Sequence, residues 1–160
     1  MWVKLNEEHI KKLIALVNQS PFFQLLSMTI ENMGVGFSQL RIGLERKHLS
    51  PYMAIQGGVY SALIDAAAYW AVYAELPEEA GLITMDVTVN NLSSIKEGTI
   101  MATGRRIKVG RSICLADVRV EDSTGRILSH GTSKLLVTQG LQPISQIAEL
   151  AGTSLPPKFL

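Results

Sequence analysis

A single carboxylate, Asp65, stands inside the apolar run from Val59 to Trp70, and two glycines, Gly57 and Gly58, open that run. The run has helical character with apolar residues on every side of the acid. Asp65 therefore belongs to a core position, where a charge is costly unless it is paired, hydrogen-bonded or put to use. The first turn of a helix carries backbone N–H groups without partners and a partial positive charge, and a glycine there lets a substrate approach the backbone closely. Amide donor and carboxylate together can attack a carbonyl group. One takes up charge developing on oxygen, while the other activates a water or adds to the carbon itself. Eight helical residues at ~1.5 Å rise separate Gly57 from Asp65 by about 12 Å, too far to act on one carbon. The arrangement needs a second chain, with Asp65 of one protomer facing Gly57 of an antiparallel partner helix.

The elements that must position these groups are legible from periodicity. Asn6 can cap a first helix, Glu7 and Glu8 suit its positive end, and Ile10, Leu13, Ile14 and Val17 share one face, giving an amphipathic helix over about residues 6–19 before Ser20-Pro21. From Gly34 the period changes: Leu40, Ile42 and Leu44 alternate with polar residues, the mark of a half-buried strand. His48 to Ala54 reads as a loop. The alanine-rich stretch from Gly57 to about Glu75 ends before Pro77 and reads as the buried central helix.

Four strand-like runs follow, over 82–92, 99–109, 112–121 and 126–138. Lys96-Glu97-Gly98, Gly110-Arg111 and Asp122-Ser123-Thr124-Gly125 separate them, which predicts antiparallel hairpins between neighbours. Residues 143–151 suit a short closing helix, and the end, with Pro156-Pro157, is expected to be loose. One apolar helix preceded by a strand and followed by a four-strand meander must bury itself against a curved antiparallel sheet, an α+β architecture in a single domain over residues 1–160.

Composition narrows the function. The chain has 160 residues, 47% hydrophobic and 18% charged, with a net charge of +1. That balance provides no field for a nucleic-acid backbone or an anionic membrane. Cys114 is the single cysteine and cannot form an internal disulfide, no signal-peptide core opens the chain and no apolar run is fit to span a bilayer, so a cytoplasmic protein is expected. His9, His48 and His130 are scattered without a metal-ligand spacing, and no metal is expected. Gly34-Val35-Gly36 lacks the third glycine of a dinucleotide fingerprint, and neither a P-loop nor a Gly-x-Ser-x-Gly elbow occurs.

The pattern His48-Leu49-Ser50-Pro51, then Gln56-Gly57-Gly58, then Asp65 resembles the hotdog-fold acyl-CoA thioesterases of the phenylacetic-acid-degradation type, over roughly residues 30–138. The resemblance implies a long central helix wrapped by a curved antiparallel β-sheet, a homodimer or dimer of dimers, and hydrolysis of an acyl- or aryl-CoA thioester. No cofactor is implied beyond the coenzyme A that the substrate carries. Members usually have Asn-Pro in the loop and His-Gly-Gly at the helix start; this chain has Ser50 and Gln56 there, and keeps Gly57, Gly58 and Asp65.

On that footing Gly57 offers the oxyanion amide and Asp65 acts as base or nucleophile. Thr84 matches the hydroxyl near the reacting water, and Gln56 and Ser50 hold the surroundings. His48 and Gly58 border the substrate, and Lys108-Val109-Gly110-Arg111-Ser112 match the hairpin near coenzyme A. Arg105, Arg106, Lys108 and Arg111 would supply cations for phosphates or form a solvated strand edge. Tyr60, Tyr69 and Trp70 suggest an apolar acyl pocket. Gln56 cannot titrate near neutrality as His can, which leaves proton transfer to Asp65 and water and makes a non-catalytic acyl-CoA-binding hotdog module the alternative. A hydratase, which would pair His with a carboxylate, ranks behind both.

Overall fold

The computed structural model describes residues 3–160. Helix α1 (Glu7–Asn18) starts as expected: Asn6 is extended and its side chain accepts a hydrogen bond from Glu8 N at 3.1 Å, which satisfies one unpaired amide of the first turn. A second short helix, α2 (Pro21–Leu26), follows, with proline in its first turn. It leads into β1 (Met28–Gly34), which pairs with β2 (Phe37–Gly43). Neither α2 nor β1 is apparent from periodicity. The ladder of β1 slips between Ile30 and Asn32, so Met28 and Ile30 face the core on one parity and Met33 on the other.

The central helix α3 spans Gly57–Tyr73, and Leu63, Ile64, Ala67, Ala68 and Ala71 on it are wholly buried. Burying a side chain such as Leu63 contributes ~2 kcal/mol. α3 lies against a six-stranded antiparallel sheet in the order β1-β2-β4-β5-β6-β3, with β3 at Ala80–Asn91, β4 at Thr99–Val109, β5 at Ile113–Asp122 and β6 at Ile127–Gln139. The inner rows supply the wall: Leu40 and Ile42, Ile100 and Ala102, Cys114 to Val120, and Leu135. Gly104 admits the helix backbone closely at Ala67 O, which also accepts from the Ser38 hydroxyl at 2.6 Å.

The four strands after α3 are present where the alternation predicts them, but they are not a simple meander. β3 pairs with β6 and not with β4. Residues 92–98 form a crossover instead of a hairpin turn because they are tied down under the mouth of α3. Leu92 N and Ser93 N donate to Leu128 O, Ile55 N donates to Ile95 O, and the Tyr60 hydroxyl donates to Ser93 O. β3 is thereby carried to the far edge of the sheet, where it flanks α3.

The closing helix α4 spans Ile144–Leu150. The tail beyond it is docked, contrary to expectation. Pro157 O accepts from Asn6 Nδ2 at 2.7 Å, Pro156 O from His9 Nδ1 at 2.6 Å, and Leu5 bridges Phe159. Lys158 is fully buried and its ammonium donates to Tyr73 O at 2.6 Å and Leu76 O at 2.7 Å, just past the end of α3. These long-range partners override the local bias of Pro-Pro toward a free end.

Candidate active site

Asp65 lies two turns into α3 and is half-buried. One carboxylate oxygen, Oδ1, accepts from the Thr84 hydroxyl of β3 at 2.8 Å. Among the described residues no Lys, Arg or His pairs with it, so the charge is oriented without being neutralised. Thr84 points inward because it stands opposite the core residue Leu135, and the ladder slips at the next residue, Met85, before Asp86 meets Lys134. The bulge marks the edge strand beside the acid. Tyr69, one turn further along α3, has its phenol pushed up to about 12, first by burial and then by the Asp65 charge. It remains a neutral hydroxyl beside the carboxylate.

The mouth of α3 is open at its first turn. Gln56 is extended and exposed at the position before the helix, and its side chain makes no capping bond. Among the described residues neither Gly57 N–H nor Gly58 N–H has an acceptor, as expected for the first turn of an uncapped helix. The loop that delivers the mouth is fixed from behind. Gln56 N donates to His48 O, and Ser50 N to Ala54 O. The Ser50 hydroxyl oxygen accepts from Tyr52 N at 3.2 Å and shapes the same turn.

His48 is fully buried, its Nδ1 accepting from Glu45 N and its Nε2 donating to Leu26 O at 2.6 Å. Both ring nitrogens are committed to the backbone, which gives His48 the role of ordering the loop and leaves neither ring nitrogen for a ligand.

The remaining basic candidates separate. Lys108 and Ser112 flank the β4–β5 turn, both exposed, while Val109, Gly110 and Arg111 line a cavity of about 680 Å³ together with Glu75 and Glu79 at the other end of α3. Arg106 is drawn off to Glu75 at 2.5 Å, and Arg105 lies with Asp117 and His130 on the outer face of the sheet. The aromatic trio also divides: Tyr60 and Trp70 are buried, and only Tyr69 is half-exposed beside Asp65.

The thioesterase superfamily model matches residues 54–129, from the loop before Gly57 to the first residues of β6. A thioesterase structure from Haemophilus influenzae superposes with a TM-score of 0.75, covering 83% of this chain and 92% of that one at 18% identity. The domain has the hotdog fold. A thioesterase family protein from Silicibacter pomeroyi has the same TM-score, 0.75, over 82% of this chain and 99% of its own, at 22% identity. By sequence, a 1,4-dihydroxy-2-naphthoyl-CoA hydrolase of Listeria monocytogenes is 21% identical over 105 residues, 66% of this chain and 85% of that one.

Within this hotdog domain the structure brings together two pairs, not one cluster: Asp65 with Thr84, and Gly57 with a residue that the sequence did not single out. A Cβ built on Gly57 would lie 2.9 Å from Asn91 Nδ2. Asn91 ends β3, and its Oδ1 is 3.0 Å from the hydroxyl of the buried Ser129. The signal was parity: Val87, Val89 and Asn91 stand opposite Ser133, Gly131 and Ser129, the inward-facing row of β6. Asn90-Asn91 reads locally as the polar end of a strand, which hid it. Cys114 is fully buried and burial raises its thiol, as suits a small core residue.

Among the described residues no helix is long and apolar enough to cross a membrane.

Proposed function

We propose that this protein hydrolyses an acyl- or aryl-CoA thioester to the free acid and coenzyme A, within the phenylacetic-acid-degradation branch of the hotdog thioesterases. The observation that carries the reading is the Asp65 carboxylate, held by Thr84 yet paired with no described cation, on the helix whose first-turn amides are free. Gly57 N–H receives the carbonyl oxygen, Gly58 allows the close approach, and Asp65 drives the addition of water. Thr84 spends its proton on one Asp65 oxygen and leaves the other for the water. Gln56 and Ser50 shape the mouth. The hairpin Lys108–Ser112 lies toward the coenzyme A, and no cofactor is needed beyond it. The naphthoyl-CoA hydrolase relative supports an aromatic acyl group. The single reduced cysteine suits a cytoplasmic setting.

The reaction is shared between two subunits in this reading, since Gly57 and Asp65 of one helix stand about 12 Å apart. The support is the edge strand β3, twelve residues long, whose side away from β6 meets, among the described residues, just an isolated bridge between Gly81 and Pro143. A long edge with free backbone groups is a template for another strand. A second copy added there antiparallel brings the Asp65 of one protomer toward the Gly57 of the other, and the dimers associate further in pairs.

The test is thiol release from a panel of aryl- and aliphatic acyl-CoA substrates, with the oligomer mass measured in parallel. Turnover by the wild type and a rate at least ~10³-fold lower for Asp65→Asn are expected. Full activity of Asp65→Asn, or a monomer that still turns over, overturns the reading. Ser50, whose hydroxyl is engaged with its own turn, favours the alternative of a module that binds without reacting. Acyl-CoA affinity with no turnover across the panel would decide for it.

A further inference from the structure

We propose that Asn91 is a catalytic residue of the hydrolysis proposed above, on which the inference rests: its side-chain amide is the second donor to the thioester oxygen. A single backbone N–H is a sparse receptor for a full negative charge, and oxyanion sites gain by placing a second donor about 3 Å from the same oxygen. Asn91 stands where that donor is needed. Its Nδ2 lies 2.9 Å from the point that a Cβ on Gly57 would occupy, and so overhangs the glycine whose missing side chain leaves the mouth open. Among the described residues, Nδ2 donates to nothing.

The carboxamide is held from its other end. The Ser129 hydroxyl lies 3.0 Å from Asn91 Oδ1 and 3.0 Å from Asn90 O, and shares its one proton between them. Ser129 has no exposed surface, and Asn91 is fixed in register opposite it by the β3–β6 ladder. With Oδ1 on the serine, Nδ2 is the end of the carboxamide that lies against the helix tip. Asn91 is exposed, so in the free protein water meets this donor, while the N–H groups of the uncapped, positively polarised turn beside it also lack an acceptor. An anion binding between them satisfies both.

The reaction then balances as follows. Water adds to the thioester carbon and gives its proton to Asp65. The carbonyl π pair moves onto oxygen, where Gly57 N–H and Asn91 Nδ2–H hold it. Collapse of that oxyanion restores the C=O bond and breaks the C–S bond, and the proton on Asp65 passes to the leaving sulfur, giving acid and thiol.

The experiment uses the full chain and the CoA substrate that the wild type hydrolyses best. Asn91→Ala removes the amide; Asn91→Asp keeps its shape and replaces the donor with an acceptor. Both should lower kcat by about 10²-fold with KM within roughly threefold, at an unfolding temperature within a few degrees of wild type. A merely structural role would not move the second readout, the carbonyl stretch of a ¹³C-labelled thioester bound to Asp65→Asn. Its downshift should shrink when Asn91→Asp is added. A wild type that turns over while both Asn91 variants keep their kcat, or a carbonyl shift indifferent to Asn91, overturns this inference and leaves the proposed function standing. An Asn91→Asp protein that is stabilised and keeps its rate would show the carboxamide oxygen facing the mouth as a cap, and also overturns it. Loss of all turnover in the wild type removes both proposals together.

Discussion

The two ends of α3 are finished in opposite ways. At the C-terminal end the chain sends a buried cation to meet the last carbonyls: Lys158 Nζ donates to Tyr73 O, which also accepts from Leu76 N, and to Leu76 O, and lies 3.9 Å over the Tyr73 ring. The Tyr73 hydroxyl is itself bonded to His9 Nε2 at 2.6 Å, so the first helix, the central helix and the tail close on one another. At the N-terminal end nothing comparable is done. Gln56 makes no cap, two glycines remove side chains, and the amides face outward. Both ends have the same count of orphan groups by construction. A helix that is sealed where it needs only stability and left open at the other tip keeps a positive pole available for a ligand.

The largest expected effect comes from closing the open end. Gly57→Ala places a methyl group 2.9 Å from Asn91 Nδ2, in the space above the first amide. The helix tolerates alanine well, so thermal unfolding should stay within a few degrees of wild type, while kcat for thioester hydrolysis falls by ~10²-fold. Steady-state kinetics beside a melting curve checks this, and an undiminished kcat would mean that the tip of α3 is not where the carbonyl binds.

How the ends differ was only half visible in the sequence. Gly57-Gly58 before an apolar helix with one acid announces the open end, because glycine, charge and helical period are local signals. The sealed end is built from contacts across the whole chain, and Pro156-Pro157-Lys158 carries no local sign that the lysine will be buried. The sheet divides in the same way. Alternation finds β2 and the four later strands, whereas the slip between Ile30 and Asn32 breaks the period of β1, and the pairing of β3 with β6 depends on a crossover pinned by Ile55, Tyr60 and Leu128. Asn91 was hidden for a related reason. The bulge at Met85 sets the parity of everything after it, and that shift is visible only in the register.

Unsealing the other end should cost stability and not rate. Lys158→Met keeps the apolar stem but leaves Leu76 O without its donor and Tyr73 O with only the Leu76 N–H, at a cost of about 2 kcal/mol in chemical denaturation, with kcat unchanged. The same lysine gives a pH signature. Burial lowers its ammonium to about 8 in the folded protein, against an ordinary value of 10.5. Between those values the unfolded chain binds a proton that the folded chain has released, so this group makes stability rise with pH from about 8 to 10.5. Below pH 8 both states are protonated and the contribution is flat. Denaturation measured at pH 7, 8.5 and 10 should show that rise in wild type and lose it in Lys158→Met; equal slopes in the two proteins would place the titrating group elsewhere.

The smallest effect is also the sharpest, because it makes the open end resemble an ordinary helix start. Gln56 already has the extended backbone of a capping residue, with φ −70° and ψ 129°. Gln56→Asp supplies the short carboxylate that such a position favours, and it can accept from the free amide of Gly58, the Val59 amide being already bonded to the carbonyl of residue 56. The substitution should stabilise the fold by about 1 kcal/mol, since it satisfies an orphan donor and sets a negative charge against the positive pole. The same charge stands beside the place where the thioester oxygen becomes negative, so kcat should fall by about tenfold while the melting temperature rises. A generic helix tip would show the gain in stability alone. Gain and loss together would mean that the first turn of α3 is left uncapped at a cost in stability because the reaction uses its polarity.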